Sequence, residues 1–316
     1  MKTIDPKDVN PVESLQLLTA AIAPRPIALV STVSVEGQHN LAPFSFFNAV
    51  GSNPPYIVFS PSRRARDGSL KDTYYNLAET GECVVHVVNH ALVWQMNIAS
   101  GEYDRGINEF EKAGFTPIDS QKISPKRIKE SPIHMECELV SMTQLGGLPG
   151  SGNMALCRVL LFHVDEALYS ENGLSVERIH HVGRNGAGFY TDCRMENLFE
   201  LHMPRQKIGI GYDALPKKLR SSSVLSAKHL SMLASMENVP DQLQYEEWVR
   251  RFSKEKVSSK DQKKAFSEKN VAYFVSTMIQ NKVGVSQDQI ETWMSWAIDQ
   301  GQTEVAWNIW TLWSQG

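Results

Sequence analysis

Apolar residues gather in short runs along roughly the first 200 positions, and afterwards recur at helical spacing. Pro26 to Val35 is β-branched and apolar and ends at Glu36-Gly37, a turn signal. Asn40 to Val50 resumes as a second strand, so the pair predicts a hairpin. Pro54-Pro55 breaks the chain before Tyr56-Ile57-Val58-Phe59, a short buried strand. Ser60 to Gly68 carries Pro61, Arg63, Arg64 and Arg66 and reads as a polar loop. Asp72 to Thr80 predicts a helix with Asp72 as N-cap, Tyr75 and Leu77 facing inward, and Gly81 as its stop. Cys83 to Val88 is another strand; Leu92 to Ser100 and Asn108 to Ala113 read as helices, the second ended by Gly114. Two long strands, Ile133 to Met142 and Met154 to Ala167, flank the turn-rich Gly146–Gly152 segment.

Strands outnumber helices in this part, and they do not alternate with helices as βαβ units would. The pattern therefore predicts a mostly β fold with helices, an antiparallel barrel rather than a Rossmann sheet. After about Pro204 the character changes. Pro216-Lys217-Lys218 and Ser221-Ser222-Ser223 read as linker, and strand signals vanish from Ala227 onward. Glu246–Arg251, Lys260–Gln280 and Ser286–Gln300 are helix candidates, with Ser286 and Gln289 in capping-box spacing. Trp307, Trp310 and Trp313 form one helical stripe, either the core of a small bundle or a docking face. The expected division is 1–203 and 204–316, with the boundary region near 204–225.

Composition narrows the function. Of 316 residues, 42% are hydrophobic and 21% charged, so a packed core is feasible; a net charge of −3 gives no general attraction to nucleic acid or anionic membrane. The start has no apolar run behind a basic flank, and no stretch approaches a membrane span, so the reading is a cytoplasmic protein without membrane or nucleic-acid partners. Cys83, Cys137, Cys157 and Cys193 form no C-x-x-C pair, which sets aside zinc and thioredoxin-like readings. His86 and His90 have i, i+4 spacing, but Val87 stands where a zinc-protease helix needs glutamate; no metal is expected. No Walker motif, dinucleotide fingerprint or Gly-x-Ser-x-Gly elbow occurs.

Candidate chemistry lies in the first strands. A phosphorylated flat cofactor wants charge-assisted donors at its phosphate and a slot with hydrogen-bond donors along its ring. Lys71 and Thr73, with the first amides of the predicted helix, suit the phosphate, and Arg63 and Arg64 could help. Ser31, Thr32, Ala42 and Ser45 sit on strands whose amides can face a ring, and the small Ala42 would let it approach closely. Without the cofactor, the same residues are ordinary strand hydroxyls, a normal helix start and a solvated loop.

Arg25-Pro26-Ile27-Ala28-Leu29-Val30-Ser31-Thr32, Asn40-Leu41-Ala42-Pro43-Phe44-Ser45-Phe46-Phe47-Asn48, Asn53-Pro54-Pro55, Lys71-Asp72-Thr73-x-x-Asn76 and Thr80-Gly81-Glu82 occur in that order. As a set they resemble the signature of the flavin reductase-like family, the FMN-binding split barrel of flavin reductases and flavoredoxins. Ser131-Pro132 leading to Glu136-Cys137 adds to the resemblance, which spans roughly residues 10 to 195. It implies an FMN-binding split β-barrel followed by an α-helical C-terminal extension, a homodimer with flavin near the subunit interface, FMN as cofactor and NAD(P)H as co-substrate. Carried over by position, Ser31, Thr32 and Val33 would lie near the ring and ribityl chain. Asn40, Leu41, Ala42, Ser45 and Phe46 would line the ring, and Ser60, Arg64, Lys71, Asp72 and Thr73 would serve the phosphate. Two features depart from the pattern: His86 stands where such proteins often carry Asn, and His180 to Gly188 only approximates their Arg-x-Gly-Gly stretch, on which the assignment of Arg184 to the flavin rests. No catalytic residue is assigned. His181 reads either as a proton donor or nicotinamide contact, or as a surface histidine. The expected function is an FMN-binding oxidoreductase of flavin reductase type, passing electrons from NAD(P)H through flavin to an acceptor. The alternative is a flavin-binding electron carrier or sensor without NAD(P)H reductase activity; a pyridoxal- or haem-handling split barrel is a third reading.

Overall fold

A computed structural model describes residues 1–201, 208–253, 262–281 and 284–315. The chain divides into two units, Met1–Phe199 and Glu200–Gly316. The expected junction at 203/204 lies outside the described residues.

The first unit opens with α1 (Pro11–Ala21), then β1 (Ala28–Val33), β2 (His39–Phe44), β3 (Phe47–Ser52), β4 (Pro55–Phe59), α2 (Asp72–Thr80), β5 (Glu82–Val87), α3 (Val93–Ala99) and α4 (Glu109–Ala113). The short pair β6 (Pro117–Ile118) and β7 (Arg127–Ile128) precedes the long strands β8 (Ile133–Gln144) and β9 (Asn153–Val164). Two further ribbons follow, β10 (Tyr169–Ser170) with β11 (Gly173–Leu174) and β12 (Val182–Arg184) with β13 (Tyr190–Asp192).

The main sheet has seven antiparallel strands in the order β2-β1-β5-β8-β9-β4-β3. Its two edge strands, β2 and β3, are neighbours in the chain, with only Ser45 and Phe46 between them. Three residue steps span at most about 11 Å, so the sheet must curl until its edges nearly meet at that corner. Phe44 of β2 packs on Phe59 of β4 inside the curl, with ring centroids 5.5 Å apart. The expected antiparallel barrel is thus present, and it is split at the β2–β3 seam. The expected single strand Asn40–Val50 is corrected: it divides at Ser45–Phe46 because β2 pairs with β1 and β3 with β4.

β1 is buried on both faces. Ala28 and Val30 point into the barrel with Phe59, Leu77, Val85 and Cys157, while Ile27 and Leu29 point outward into a second cluster with Leu92, Met96 and Phe110. Double burial explains the consecutive apolar residues Ile27–Val30, which a strand with one solvated face would interrupt, and the buried Ser31 and Thr32 that follow are both hydrogen-bonded. The buried His86 of β5 donates from Nδ1 to the Leu29 carbonyl (2.8 Å) and accepts at Nε2 from the Ile128 amide (2.9 Å), tying three strands together. α1 is closed by an Asn10–Glu13 capping box yet buries none of its residues.

The regular elements among the second unit's described residues are all helices, chiefly α5 (Lys217–Arg220), α6 (Ala227–Ala234), α7 (Gln242–Ser253), α8 (Gln262–Ser267), α9 (Val271–Asn281), α10 (Gln287–Asp299) and α11 (Thr303–Gln315). The linker expected at Pro216–Ser223 is corrected: α5 lies there, with Leu219 fully buried in the helical core. The helix expected over 260–280 breaks at 268–270 into α8 and α9, and its start at Lys260 lies outside the described residues. Ser286 caps α10 through the expected box with Gln289. Trp293, Trp296, Trp307 and Trp310 are in the core of this unit, and Trp313 packs against it. The stripe is packing, as amphipathic spacing most simply implies. Among the described residues no helix is long and apolar enough to cross a membrane.

Candidate functional site

The site grows from the open start of α2. Lys71 occupies the N-cap position in extended conformation, and no side chain caps the helix. The expected Asp72 cap is corrected: Asp72 is the first helical residue, and its carboxylate lies 3.8 Å from Arg105 Nε. Tyr74 donates back to the Lys71 carbonyl (2.9 Å), while the Asp72 and Thr73 amides find no acceptor among the described residues. Such amides carry the positive end of the helix dipole.

Two cations stand beside those amides. Arg64 is held by its own loop, donating from Nη1 to the Leu70 carbonyl at 2.9 Å. The Lys71 ammonium lies 5.2 Å from the Phe44 ring centroid and makes no ion pair among the described residues. Burial, followed by the nearby Arg64 charge, lowers its pKa; Glu102 acts weakly the other way. A half-buried ammonium with a second cation near it and no bonded anion favours an anionic partner.

Arg64, Lys71, Asp72 and Thr73 line a cleft of about 580 Å³ with Asn40, Ala42, Pro43, the Ala99–Tyr103 segment and Glu109. Pro43 and Ser100 also line an adjoining hollow with Ser45, Arg184 and Tyr190, so the two form one trough with Arg64 and Lys71 at the α2 end. At the other end the Arg184 guanidinium stacks on Tyr190, 4.6 Å from the ring centroid.

A buried amide–hydroxyl network supports the floor. Asn40 Nδ2 donates to Thr32 Oγ1 (3.1 Å) and to Thr73 Oγ1 (3.0 Å), and Asn76 Nδ2 donates to Thr32 Oγ1 (3.0 Å). These bonds join β1, β2 and α2. Glu109 accepts from the Leu41 amide at 2.9 Å; burial is the main cause raising its pKa, opposed by that bond and reinforced by Asp72.

The structure therefore brings Asn40, Ala42, Ser45, Arg64, Lys71, Asp72, Thr73 and Arg184 to one trough. The other expected residues do not line it. Ser31 is buried and donates to the Lys126 carbonyl (2.6 Å), and Thr32 lies beneath Asn40. Val33 and Leu41 are buried apolar residues. Ser60 accepts from the Asn153 amide at 3.1 Å in the loop base. Phe46 is exposed at the barrel seam. His181 lines a separate hollow with Pro24, Phe47 and Val87. Sequence reasoning missed Ser100–Tyr103, Glu109 and Tyr190. Glu109 looks like any acidic residue in a helix's first turn, and Ser100–Tyr103 and Tyr190 arrive by long-range packing, for which the sequence carries no local signal.

Gly183 sets the Arg184 end. Its amide neighbours pair Arg25 with Arg184 through two main-chain bonds of 2.9 and 2.8 Å. A Cβ at Gly183 would stand 2.4 Å from Pro24 Cβ. Gly183→Ala is expected to cost about 1–3 kcal/mol through overpacking, read as a lowered urea midpoint. An unchanged midpoint would show that this contact yields freely.

Comparison with known proteins gives consistent matches. The profile of the Flavin reductase like domain matches residues 20–179. An uncharacterised protein of Aquifex aeolicus is 36% identical over 186 residues, 57% of this chain and 92% of its own. Among solved structures, nitrilotriacetate monooxygenase component B from Bacillus cereus is 37% identical with a TM-score of 0.60, covering 64% of this chain and 98% of its own. The 2-nitrobenzoate 2-nitroreductase of Pseudomonas fluorescens is 28% identical with a TM-score of 0.57, covering 69% and 100%.

Proposed function

The chain belongs to the flavin reductase like family, and on that premise we propose that it is an FMN-binding oxidoreductase that takes electrons from NAD(P)H and passes them to an acceptor. The observation that carries this reading is the α2 end of the trough, where Arg64 meets the Lys71 ammonium and two helix-start amides that have no partner among the described residues.

The residues present suit FMN in kind. Lys71, Arg64 and the first amides of α2 would bind the phosphate, as charge-assisted donors at a helix start do. Asn40, fixed by Thr32 and Thr73, would orient the middle of the cofactor, and the small Ala42 leaves its strand open to close approach. The hollow bounded by Ser45, Arg184 and Tyr190 would take the ring. Bound FMN would supply the hydride-accepting and electron-releasing chemistry. Similarity to a monooxygenase component and to a nitroreductase supports a redox role. The same reading makes the protein a cytoplasmic homodimer. In support of the dimer, α1 and its C-cap leave Val12, Leu15, Leu18 and Ile22 exposed on the single chain.

The test is an anaerobic mix of the FMN-loaded protein with NADH or NADPH. Rapid bleaching of the visible flavin band is expected. A flavin that stays oxidised with both nucleotides, yet is reduced chemically, would replace the enzyme by an electron carrier. A folded protein that refuses FMN in titration would sink both.

A further inference from the structure

Arg25 has no part in the site as described so far. The residue is only 4% exposed. Its Nη1 donates to the Thr19 and Ile22 carbonyls at 3.0 and 2.6 Å, closing the end of α1, and Nη2 donates to the Asn185 carbonyl at 3.1 Å. Nε donates to Ser45 Oγ at 3.4 Å. Every acceptor is neutral, and among the described residues Arg25 makes no ion pair. A buried charge with no counter-ion is costly, and dipoles alone leave its field uncancelled. Arg184 adds a second positive charge close enough to act on Arg25.

Of the four acceptors, Ser45 Oγ alone carries a proton that it can pass on. It lines the trough with Pro43, Arg184 and Tyr190. Accepting from Arg25 leaves the Ser45 O–H to donate, and a donor bonded to a cation is polarised to donate more strongly. The Arg184 guanidinium and the polarised Ser45 hydroxyl line this half of the trough with no carboxylate beside them, and Arg25 stands behind Ser45; the opposite half mixes the carboxylates of Asp72, Glu102 and Glu109 with the cations Arg64 and Lys71.

We propose that Arg25, acting through the Ser45 hydroxyl and beside Arg184, makes this half of the trough a compartment for negative charge, which holds reduced flavin more tightly than oxidised flavin. The inference rests on the flavin reading above. Hydride uptake from NAD(P)H, which leaves as NAD(P)⁺, adds two electrons and one proton to a neutral ring. The product therefore carries one negative charge, and that charge is what the compartment meets. Arg25 is a positioning residue here, since it acts through Ser45.

The experiment compares wild type with Ser45→Ala, Arg25→Met and Arg25→Lys. FMN affinity is titrated first, and the midpoint potential of the bound FMN is then measured by anaerobic dye equilibration. Ser45→Ala and Arg25→Met are each expected to reduce the preference for reduced flavin about tenfold, a fall of about 30 mV for a two-electron couple. Arg25→Lys should restore part of it. Potentials equal to wild type in FMN-loaded Ser45→Ala would overturn the proposal. Since Arg25 also closes α1, Ser45→Ala decides the matter if Arg25→Met fails to fold. Wild type that binds no FMN would instead overturn the flavin reading, and this inference with it.

Discussion

Replacing Lys71 by methionine and Arg64 by alanine together is expected to weaken FMN binding about 10²- to 10⁴-fold. Each charge-assisted hydrogen bond contributes about 1.5–3 kcal/mol, so two lost together give about 3–6 kcal/mol. Lys71 weighs more than an exposed lysine would, because its ammonium is half-buried on the Phe44 ring and unpaired among the described residues. Thr73 is a different case. Its hydroxyl already accepts from Asn40, so Thr73→Ala should act by releasing Asn40, at about 1–3 kcal/mol for an orphaned buried donor. Fluorescence quenching of FMN on titration measures both effects, with circular dichroism confirming the fold. An unaltered dissociation constant in the folded Lys71/Arg64 double variant would remove these side chains from the phosphate site.

Acid should unfold the first unit well above the usual carboxylate range. His86 is buried and has its pKa pushed down to about 3, mainly by burial and then by the charge of His134. Burial likewise leads in lowering His134 to about 4, with Arg127 and His163 acting the same way and the Ser131 carbonyl and Glu136 opposing. Both rings are bonded as neutral tautomers: His86 as described, and His134 donating from Nε2 to the Ser131 carbonyl at 2.7 Å. The unfolded chain binds protons on these histidines near pH 6.5, and the folded chain does not until pH 3–4. Between those limits the unfolded state holds more protons, so stability rises with pH and is lost as pH falls below about 6.5. The slope is about 1.4 kcal/mol per pH unit for each histidine, or roughly 2.7 for the pair, and His86 alone amounts to about 5 kcal/mol over its full range. Urea midpoints at pH 7 and pH 5.5 check this. A His86→Gln variant should be weaker at pH 7 but flatter with pH; a variant as steep as wild type would assign the acid response elsewhere.

Much of this molecule is legible in its sequence where local rules decide. Strand β1 announces itself by an apolar run, α10 by Ser286 and Gln289, and α2 by its Gly81 stop. The barrel class follows from the absence of βαβ alternation. What local rules do not carry is partner choice. Nothing in Asn40 to Val50 shows that the sheet's two edges meet inside it, because that depends on β4 and β9 arriving from elsewhere. Helix α5 hides behind a Pro-Lys-Lys segment because the buried Leu219 is a single apolar position. The site divides the same way. Arg64, Lys71 and Ala42 were found from residue chemistry and motif resemblance, whereas Ser31 and Thr32 sit on the same strand but turn to the Lys126 carbonyl and to Asn40. Strand alternation fixes that neighbours face opposite ways, not which of them meets a cavity.

The two-residue link between Phe44 and Phe47 has a consequence for how this architecture tolerates change in length. The turn at Glu36–Gly37 between β1 and β2 can take extra residues, because it is an exposed two-strand connection. One residue added between Ser45 and Phe46 would have nowhere to go: accommodated in either strand, it shifts alternation by one and exchanges inward for outward side chains along that rim. Phe44 or Phe59 would lose its partner, and Ser45 would turn away from Arg25. The place where the cylinder is left open is thus also the place where its register is least negotiable.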